Sequence, residues 1–427
     1  MAIAFLFAVV LFLVLINVLI AVALGLSAAV AMVWMSGFDS LNNLPIVMYT
    51  SATNFPLIAI PVFILAGAIM NASGISRRLI SFATAIFGFI RGALSLVSIG
   101  ASMFFAEISG SAVADVSALG SILIPEMKNR GYSKEYAAAV MSSSATLAVI
   151  IPPSIPMIIY AAIANTSVVE LFVAGIVPGV LGGLMLMGMA YWLAWRNHFP
   201  VEHAFQLKRV WTTFKDAAWG LLLPMIILGG IFGGMVTATE GAALAVVAAL
   251  FIGTVIYREL DWPHLRAAIV EGGVQSAVVM LLVASSAMLG LYLTETQTPQ
   301  HLASAVAGMT DNRYLILALL NLLLLLLGLF LHSAAAIILV VPVVLPLVVA
   351  TGIDPVHFGL IVTINLGIGQ QTPPVASVLT VACSIAKADI WEVTKVNIHF
   401  IAVLLFILML VTYVPWVPMF LVNFFYR

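Results

Sequence analysis

The chain has 427 residues, of which 63% are hydrophobic and only 8% are charged, and its formal net charge is −1. Soluble domains carry about 25% charged residues, so the composition excludes a soluble globular protein and indicates a polytopic protein embedded in a lipid bilayer. The near-neutral charge predicts no nucleic-acid partner, and the single cysteine, Cys383, excludes an internal disulfide.

The N-terminal part predicts spanning and interfacial helices. Residues 1–35 lack a basic start and stay apolar for too long to be a signal peptide, so they predict a first transmembrane helix, tilted or broken near Gly25. Residues 39–54 are polar and predict a loop, and residues 55–70 predict the next span. The apolar run 79–90 would reach only about 18 Å as a helix, which is short of the ~30 Å hydrocarbon core. It therefore predicts a helix lying along the interface.

Residues 92–125 predict a re-entrant hairpin. Two apolar limbs flank a polar middle at residues 107–111, and basic residues flank both ends, which places both ends on the cytoplasmic side. Glu107 and Asp115 lie beside this tip, and charges at membrane depth are candidates for function. Proton coupling, an ion pair and a water-filled structural placement all stay open for them.

Two predicted membrane helices are interrupted. The first, residues 136–164, is broken at residues 142–146 and at the adjacent prolines 152–153; the second, residues 357–386, contains the segment NLGIGQQTPP. Adjacent prolines block a continuous helix, and unpaired backbone groups in hydrocarbon cost several kcal/mol each. Broken helices of this kind hold substrate and coupling ion in transporters. A proline-kinked helix sealed by its neighbours is the alternative.

The rest of the chain continues the membrane pattern. The polar connector 196–216 carries basic and aromatic residues and predicts an amphipathic cytoplasmic piece. Thr239 is the predicted cap of the helix that follows, with Glu240 in its first turn. Residues 314–346 predict a second hairpin with His332 and Ser333 at its middle. The other apolar stretches predict spans at residues 168–195, 217–236, 241–256, 272–293 and 398–425.

An internal repeat relates the two interrupted regions. A shift of 221 residues superposes Pro125 on Pro346, Gly131 on Gly352, Ser133 on Asp354 and the proline pair 152–153 on 373–374. Residues 126–135 carry three basic side chains, whereas the matching residues 347–356 carry none. Because basic residues mark the cytoplasmic side, the two halves are predicted to be inverted. The predicted fold class is an all-α polytopic membrane protein with two inverted repeats, each with a re-entrant helical hairpin and a broken transmembrane helix.

The hairpin tips and helix breaks are predicted to meet in two Na⁺ sites, one per half. Unwound carbonyls and nearby hydroxyls can bind a cation, and helix N-termini favour an anionic substrate. A hydroxyl that only bonds its own backbone is the alternative for each serine, and a packing role is the alternative for His332. The first site comprises Ser109, Gly110, Ser111, Ser143, Ser144 and Thr146, and the second Ser333, Asn365, Gly367, Gly369, Gln371 and Thr372. The predicted substrate contacts are His332, Ser333, Gln370, Thr372, Pro373, Ser111 and Pro152.

Three stretches resemble a known family. FFAEISGSAVADVSALGSILIPEM, LLLPMIILGGIFGGMVTATEGAALA and GIDPVHFGLIVTINLGIGQQTPPVASVL are similar to the large membrane subunit of TRAP (tripartite ATP-independent periplasmic) transporters. The resemblance covers essentially the whole chain. It implies Na⁺-driven uptake of an organic acid across the bacterial inner membrane by an elevator mechanism, with sialic acid as the first expected substrate and C4-dicarboxylates as the second. It also implies two partners, a small four-helix membrane subunit on a separate chain and a soluble periplasmic substrate-binding protein.

The resemblance has departures. Many members carry a small residue at Glu107 and threonine at Asp115, and many carry an acidic residue at the second tip, where this chain has His332 and Ser333. The resemblance therefore implies no acid-based role at that tip. The implied domain boundaries are 1–91 for scaffold helices and interfacial helix, 92–165 for the first half of the transport domain, 166–312 for scaffold helices and connector, 313–386 for the second half of the transport domain, and 387–427 for a final scaffold helix.

Two other functions stay open from the residues. One is a stand-alone sodium–dicarboxylate symporter, which would need no binding protein. The other is an intramembrane enzyme, for which the sequence offers no GxSxG motif and no His/Cys metal cluster, so no enzymatic activity is expected. The absence of a Walker motif indicates that ATP is not the energy source.

Overall fold

The structure is a computed structural model that describes residues 9–10, 12–13, 16, 18–199, 201, 206–297 and 312–427, with the side chains of 107–109 outside the description. The first half contains α1 (Ile20–Ser36), α2 (Leu44–Ala52), α3 (Phe55–Ala72), α4 (Ile75–Phe87), α5 (Ala93–Ser109), α6 (Ala112–Asn129), α7 (Lys134–Ala145), α8 (Leu147–Ile150), α9 (Ile155–Ala164) and α10 (Val168–Arg196). The second half contains α11 (Leu207–Phe232), α12 (Ala238–Phe251), α13 (Trp262–Glu295), α14 (Arg313–Gly328), α15 (Ser333–Ala350), α16 (Pro355–Gly369), α17 (Ser377–Ala386), α18 (Ile390–Tyr413) and α19 (Trp416–Tyr426).

The helices have the lengths that a membrane protein needs. Among the described residues there is no strand, and eight helical segments are long and apolar enough to cross a bilayer. α4 is not one of them: it buries Ile75, Leu79 and Ala83 and exposes Arg77 and Ser81. This one-sided burial is what a helix lying along the interface requires.

Two expectations for the N-terminal part are corrected by the structure. The first helix is expected to be tilted or broken near Gly25, and the break is absent: α1 runs continuously from Ile20 to Ser36, with Gly25 packed beside Ser285 of α13. The predicted loop at 39–54 is instead a 3₁₀ turn over Phe38–Asn43 followed by α2. In the rest of the predicted first span, residues 1–8, 11, 14–15 and 17 lie outside the described residues.

The other corrections concern helix ends. Thr237, and not Thr239, caps α12: its hydroxyl accepts from the Glu240 backbone N–H at 3.3 Å, and the Glu240 carboxylate accepts from the Thr237 N–H at 2.8 Å. This reciprocal pair is a capping box. The last predicted span, 398–425, is two helices, because the chain turns at Pro415 between α18 and α19.

The internal repeat is visible in the backbone. Helices α6 and α15 differ by 221 residues at both ends, and the turns that follow them place Gly131 and Gly352 at φ of 86° and 70°. A side chain is disfavoured at such angles. The proline pairs 152–153 and 373–374 both have cis peptide bonds and lie between the two pieces of each broken helix, α7 to α9 and α16 to α17.

Hydrogen bonds between the halves show that the broken helices run in opposite directions. At one end, Lys128 and Lys134, which flank the start of α7, donate to the carbonyls of Ala386 and Lys387 at the end of α17, at 3.0 and 3.4 Å. At the other end, the Tyr160 hydroxyl of α9 donates to the Pro355 carbonyl at the start of α16, at 2.7 Å. The start of each broken helix therefore lies beside the end of the other, and the predicted inverted repeat is confirmed.

Candidate functional site

The first hairpin tip contacts the first helix break. Gly110, between α5 and α6, has φ of 57° and its carbonyl accepts from the Ile155 N–H at 3.2 Å. A Cβ at this glycine would lie 2.9 Å from the Pro153 carbonyl oxygen. The tip therefore needs glycine both for its backbone angle and for its approach to the break.

The second tip contacts the second break even more closely. Gly328 ends α14 and Gly369 ends α16, and a Cβ at Gly369 would lie 2.5 Å from the Cα and carbonyl carbon of Gly328. Beside this backbone contact, the Gln370 amide donates to the Ser333 hydroxyl at the start of α15. Tip and break are thus paired in each half, as the sequence predicts.

The two breaks meet each other around Gln371. Its amide nitrogen donates to Thr146 Oγ1 at 2.5 Å, and its Oε1 lies 2.9 Å from the Ser143 hydroxyl. The same hydroxyl lies 2.6 Å from Asn397 Oδ1, and Asn397 Nδ2 contacts the Gln371 carbonyl at 3.5 Å. All four side chains are buried, with exposed fractions of 0–1%. The Ser143 hydroxyl therefore has one proton for two acceptors, Gln371 Oε1 and Asn397 Oδ1, and Gln371 Oε1 also accepts from Asn397 Nδ2 at 3.4 Å.

A second buried network lies about two turns earlier, on α16. Asn365 Nδ2 donates to Asn321 Oδ1 at 2.7 Å, and Asn321 Nδ2 donates to the Thr412 hydroxyl at 3.1 Å. The Asn365 Oδ1 has no hydrogen-bond partner among the described residues. Asn365, a predicted Na⁺ ligand, therefore lies inside a continuous helix and has one free oxygen. It links α14 of the second hairpin, α14–α15 and below called hairpin 2, to α18.

The remaining predicted site residues have other surroundings. Ser144 accepts from the Ser102 hydroxyl of α5 at 3.1 Å, and the Thr372 hydroxyl donates to its own helix at Ile368, at 3.0 Å. Gly367 lies where the broken helices cross, since its Cβ would be 2.9 Å from Thr146 Cγ2. Pro152 is buried, whereas Ser111, His332, Thr372 and Pro373 are half-buried. The Ser109 and Glu107 side chains lie outside the described residues, and Asp115 is buried in the first turn of α6.

Three residues of these networks, Asn397, Asn321 and Thr412, were not among the predicted site residues. Asn397 sits one residue before the predicted last span, and the nearby Lys395 placed it in the connector. Asn321 is a lone amide in the leucine-rich run RYLILALLNLLLLLLG. A polar side chain in such a run is itself a signal of function in membranes, and that signal was available for Asn321.

One side of the site is open. At the second break Pro374 and Val375 are exposed, whereas Pro152 and Pro153 at the first break are buried. Helices α6 and α17 both run from the site toward the lysine-bearing end, and both expose hydroxyls at four-residue spacing. These exposed residues are Ser117, Ser121, Thr380 and Ser384. Together they are called the hydroxyl stripe.

An inverted repeat whose hairpin tips and helix breaks enclose buried polar groups defines a multi-pass membrane protein of the secondary-transporter class. A family model described as "Tripartite ATP-independent periplasmic transporter, DctM component" matches residues 7–417. The chain belongs to this family and is a TRAP transporter large permease of the inner membrane.

Curated relatives carry several substrate names. The chain is 42% identical over 406 residues to the isethionate TRAP transporter permease protein DctMQ of Oleidesulfovibrio alaskensis, covering 95% of this chain but only 64% of that longer protein. It is 38% identical to the C4-dicarboxylate large permease DctM of Vibrio cholerae, over 98% of this chain and 96% of the relative. It is also 38% identical to the sialic acid large permease SiaM of the same organism, over 85% of each chain.

A solved structure has the same fold. The Alcanivorax borkumensis YdaH transporter, described as having an unusual topology, superposes with a TM-score of 0.64 at 15% identity, over 92% of this chain and 90% of that one. At this identity the likeness concerns the fold alone.

Proposed function

We propose that this permease carries out Na⁺-coupled uptake of a small organic acid. Relatives are named for C4-dicarboxylates, sialic acid and isethionate, which are all acidic solutes. Sialic acid and C4-dicarboxylates are the two substrates to compare first. The partners would be a small membrane subunit and a periplasmic protein that delivers the substrate.

The single observation that carries the sodium proposal is the oxygen cluster at the crossing of the breaks. Ser143 Oγ lies 2.6 Å from Asn397 Oδ1 and 2.9 Å from Gln371 Oε1, and its single proton can satisfy only one of these two acceptors at a time. Close, underprotonated oxygens in a buried site repel one another more strongly than they would in water. A small monovalent cation relieves that repulsion without needing a carboxylate ligand.

The helix directions support an acidic substrate. Helices α6 and α15 begin at the hairpin tips, and α9 and α17 begin directly after the breaks. Their N-terminal ends carry partial positive charge, and such ends bind carboxylate and phosphate groups. The half-buried His332, at the N-cap of α15, lies where it could contact such a group.

The elevator mechanism is part of the same proposal. Helices α10 and α18 pack on the hairpins and broken helices, while α1, α3, α12 and α13 pack on one another and α11 packs on α4. The packing supports a moving unit that includes α10 and α18, which the sequence-based boundaries assigned to the scaffold. The moving unit would carry the site across the membrane as one body.

The test is uptake into proteoliposomes containing this chain and the small subunit encoded with it. Labelled sialic acid and labelled succinate are offered with the cognate binding protein, in Na⁺ or in choline. We expect uptake that requires both Na⁺ and the binding protein. Uptake unchanged in choline would refute sodium coupling, and uptake without the binding protein would favour a stand-alone symporter.

A further inference from the structure

A polar cavity of about 540 Å³ opens between α4 and the first half of α11, away from the hairpin tips and helix breaks. Its charged lining residues are Arg77 and Arg78 of α4, Lys215 and Asp216 of α11, and Glu259 of the loop before α13. It shares no residue with the central site, and neither the family nor the relatives' names assign it a ligand.

The basic residues of this cavity differ in how closely they are paired with carboxylates. Arg78 donates to Glu259 Oε1 at 2.7 Å, and its guanidinium lies 3.8 Å from the centre of the Tyr257 ring. Arg77 is 3.7 Å from the same carboxylate but its side chain is 74% exposed. Lys215 makes no ion pair with any side chain in the described ranges. With Arg78 and Glu259 paired, Arg77 and Lys215 face the single carboxylate of Asp216, and the cavity keeps a net positive charge.

The surroundings place the cavity at the level of lipid headgroups. Trp211, Phe214 and Trp219 are exposed on α11, and Lys215 Nζ lies 5.3 Å from the Trp211 ring centre. Tryptophan and basic residues together mark the cytoplasmic interface of a membrane protein. Below Trp219 on the same helix, Leu222 and Ile226 are exposed apolar side chains, which offer a path for acyl chains toward the hydrocarbon core.

We propose that this cavity binds the headgroup phosphate of an anionic phospholipid from the cytoplasmic leaflet. Arg77 and Lys215 provide the two available cations, one from each wall, so a bound lipid would join α4 to α11. Basic pockets between helices on the cytoplasmic side are known to suit such headgroups. Inorganic phosphate offers the same anionic oxygens without acyl chains, so the test compares the two.

The test measures binding of phosphatidylglycerol to the purified permease in phosphatidylcholine nanodiscs, by the rise in unfolding temperature and by native mass spectrometry. The variant is Arg77→Gln with Lys215→Gln. The matched control is Lys208→Gln with Arg209→Gln, which removes two cations from the same helix outside the cavity lining. We expect the affinity to fall about fivefold per removed cation, or roughly 25-fold in the double variant, and to stay near wild type in the control.

Three results would overturn the proposal. The first is equal weakening in the control, which would show diffuse surface attraction. The second is an unfolding temperature with phosphatidylglycerol no higher than in phosphatidylcholine alone. The third is equal stabilisation by inorganic phosphate, which would show a soluble anion. Ser81→Trp fills the cavity without changing its charge and serves as a second variant if the double variant unfolds. We expect it to weaken lipid binding as well, and normal lipid binding by Ser81→Trp would also contradict the assignment.

Discussion

Replacing Gly369 by alanine tests the contact on which the second tip depends. The added Cβ would lie 2.5 Å from two backbone atoms of Gly328, whereas ordinary contact begins at 3.4 Å. The two backbones must therefore separate by about 0.9 Å, the difference between those distances. The obstacle is backbone on hairpin 2, so no side-chain rotation can relieve it.

The expected cost follows from that displacement. Overpacking of a tight contact costs about 1–3 kcal/mol, and the better helix propensity of alanine offsets at most about 1 kcal/mol of it. The separation also lengthens the hydrogen bond between Gln370 and Ser333. We therefore expect Gly369→Ala to unfold at a lower temperature and to need about tenfold more Na⁺ for half-maximal uptake, since tenfold corresponds to about 1.4 kcal/mol.

The assay is thermal unfolding in detergent, followed by Na⁺ titration of uptake in proteoliposomes. The matched control is Gly188→Ala in the middle of α10, where a Cβ would meet no atom within 4 Å. That variant should be as stable as wild type or slightly more stable. Wild-type unfolding and wild-type Na⁺ dependence in Gly369→Ala would refute the backbone contact between tip and break.

Three further predictions test other parts of the structure. Asn397→Leu removes one oxygen of the cluster formed by Ser143, Gln371 and Asn397, so the rise in unfolding temperature on adding Na⁺ should disappear. In the wild type, Na⁺ at 100 times its Kd is worth about 2.7 kcal/mol of stability. An undiminished rise in the variant would exclude Asn397 as a ligand. The hydrogen bond from Arg78 lowers the pKa of the Glu259 carboxyl from its usual 4.5. The ionised carboxyl therefore stabilises the fold above pH 4.5, and this stabilisation is lost as the pH falls through the lowered pKa. Glu259→Gln should unfold at a lower temperature than wild type at pH 7, and the difference in unfolding temperature should disappear in strong acid. In a Cys383→Ser background, Ser384→Cys should react with a membrane-impermeant maleimide added from the cytoplasmic side, because Ser384 is exposed on the hydroxyl stripe; labelling only from the periplasmic side would reverse the assigned orientation.

The sequence by itself determined the features that depend on neighbouring residues. Low charge and high apolar content required a membrane, and the proline pairs at 152–153 and 373–374 interrupted their helices because proline cannot continue a helix. The 221-residue repeat and the one-sided distribution of basic residues predicted inversion. Errors at this level were local, such as Thr239 in place of Thr237, since two threonines two residues apart compete for one cap.

Only the tertiary structure decided which side chains share a site. Ser143, Gln371 and Asn397 are separated by up to 254 residues and meet because α7, the second break and α18 pack together. The contact of Gly328 with Gly369, and the joining of Asn321 to Asn365, likewise depend on how hairpin 2 lies on α16. Helix breaks follow from the backbone properties of adjacent residues such as paired prolines, and these are visible in the sequence. The partners of a buried polar group depend on how distant helices pack, and no local sequence pattern specifies that packing.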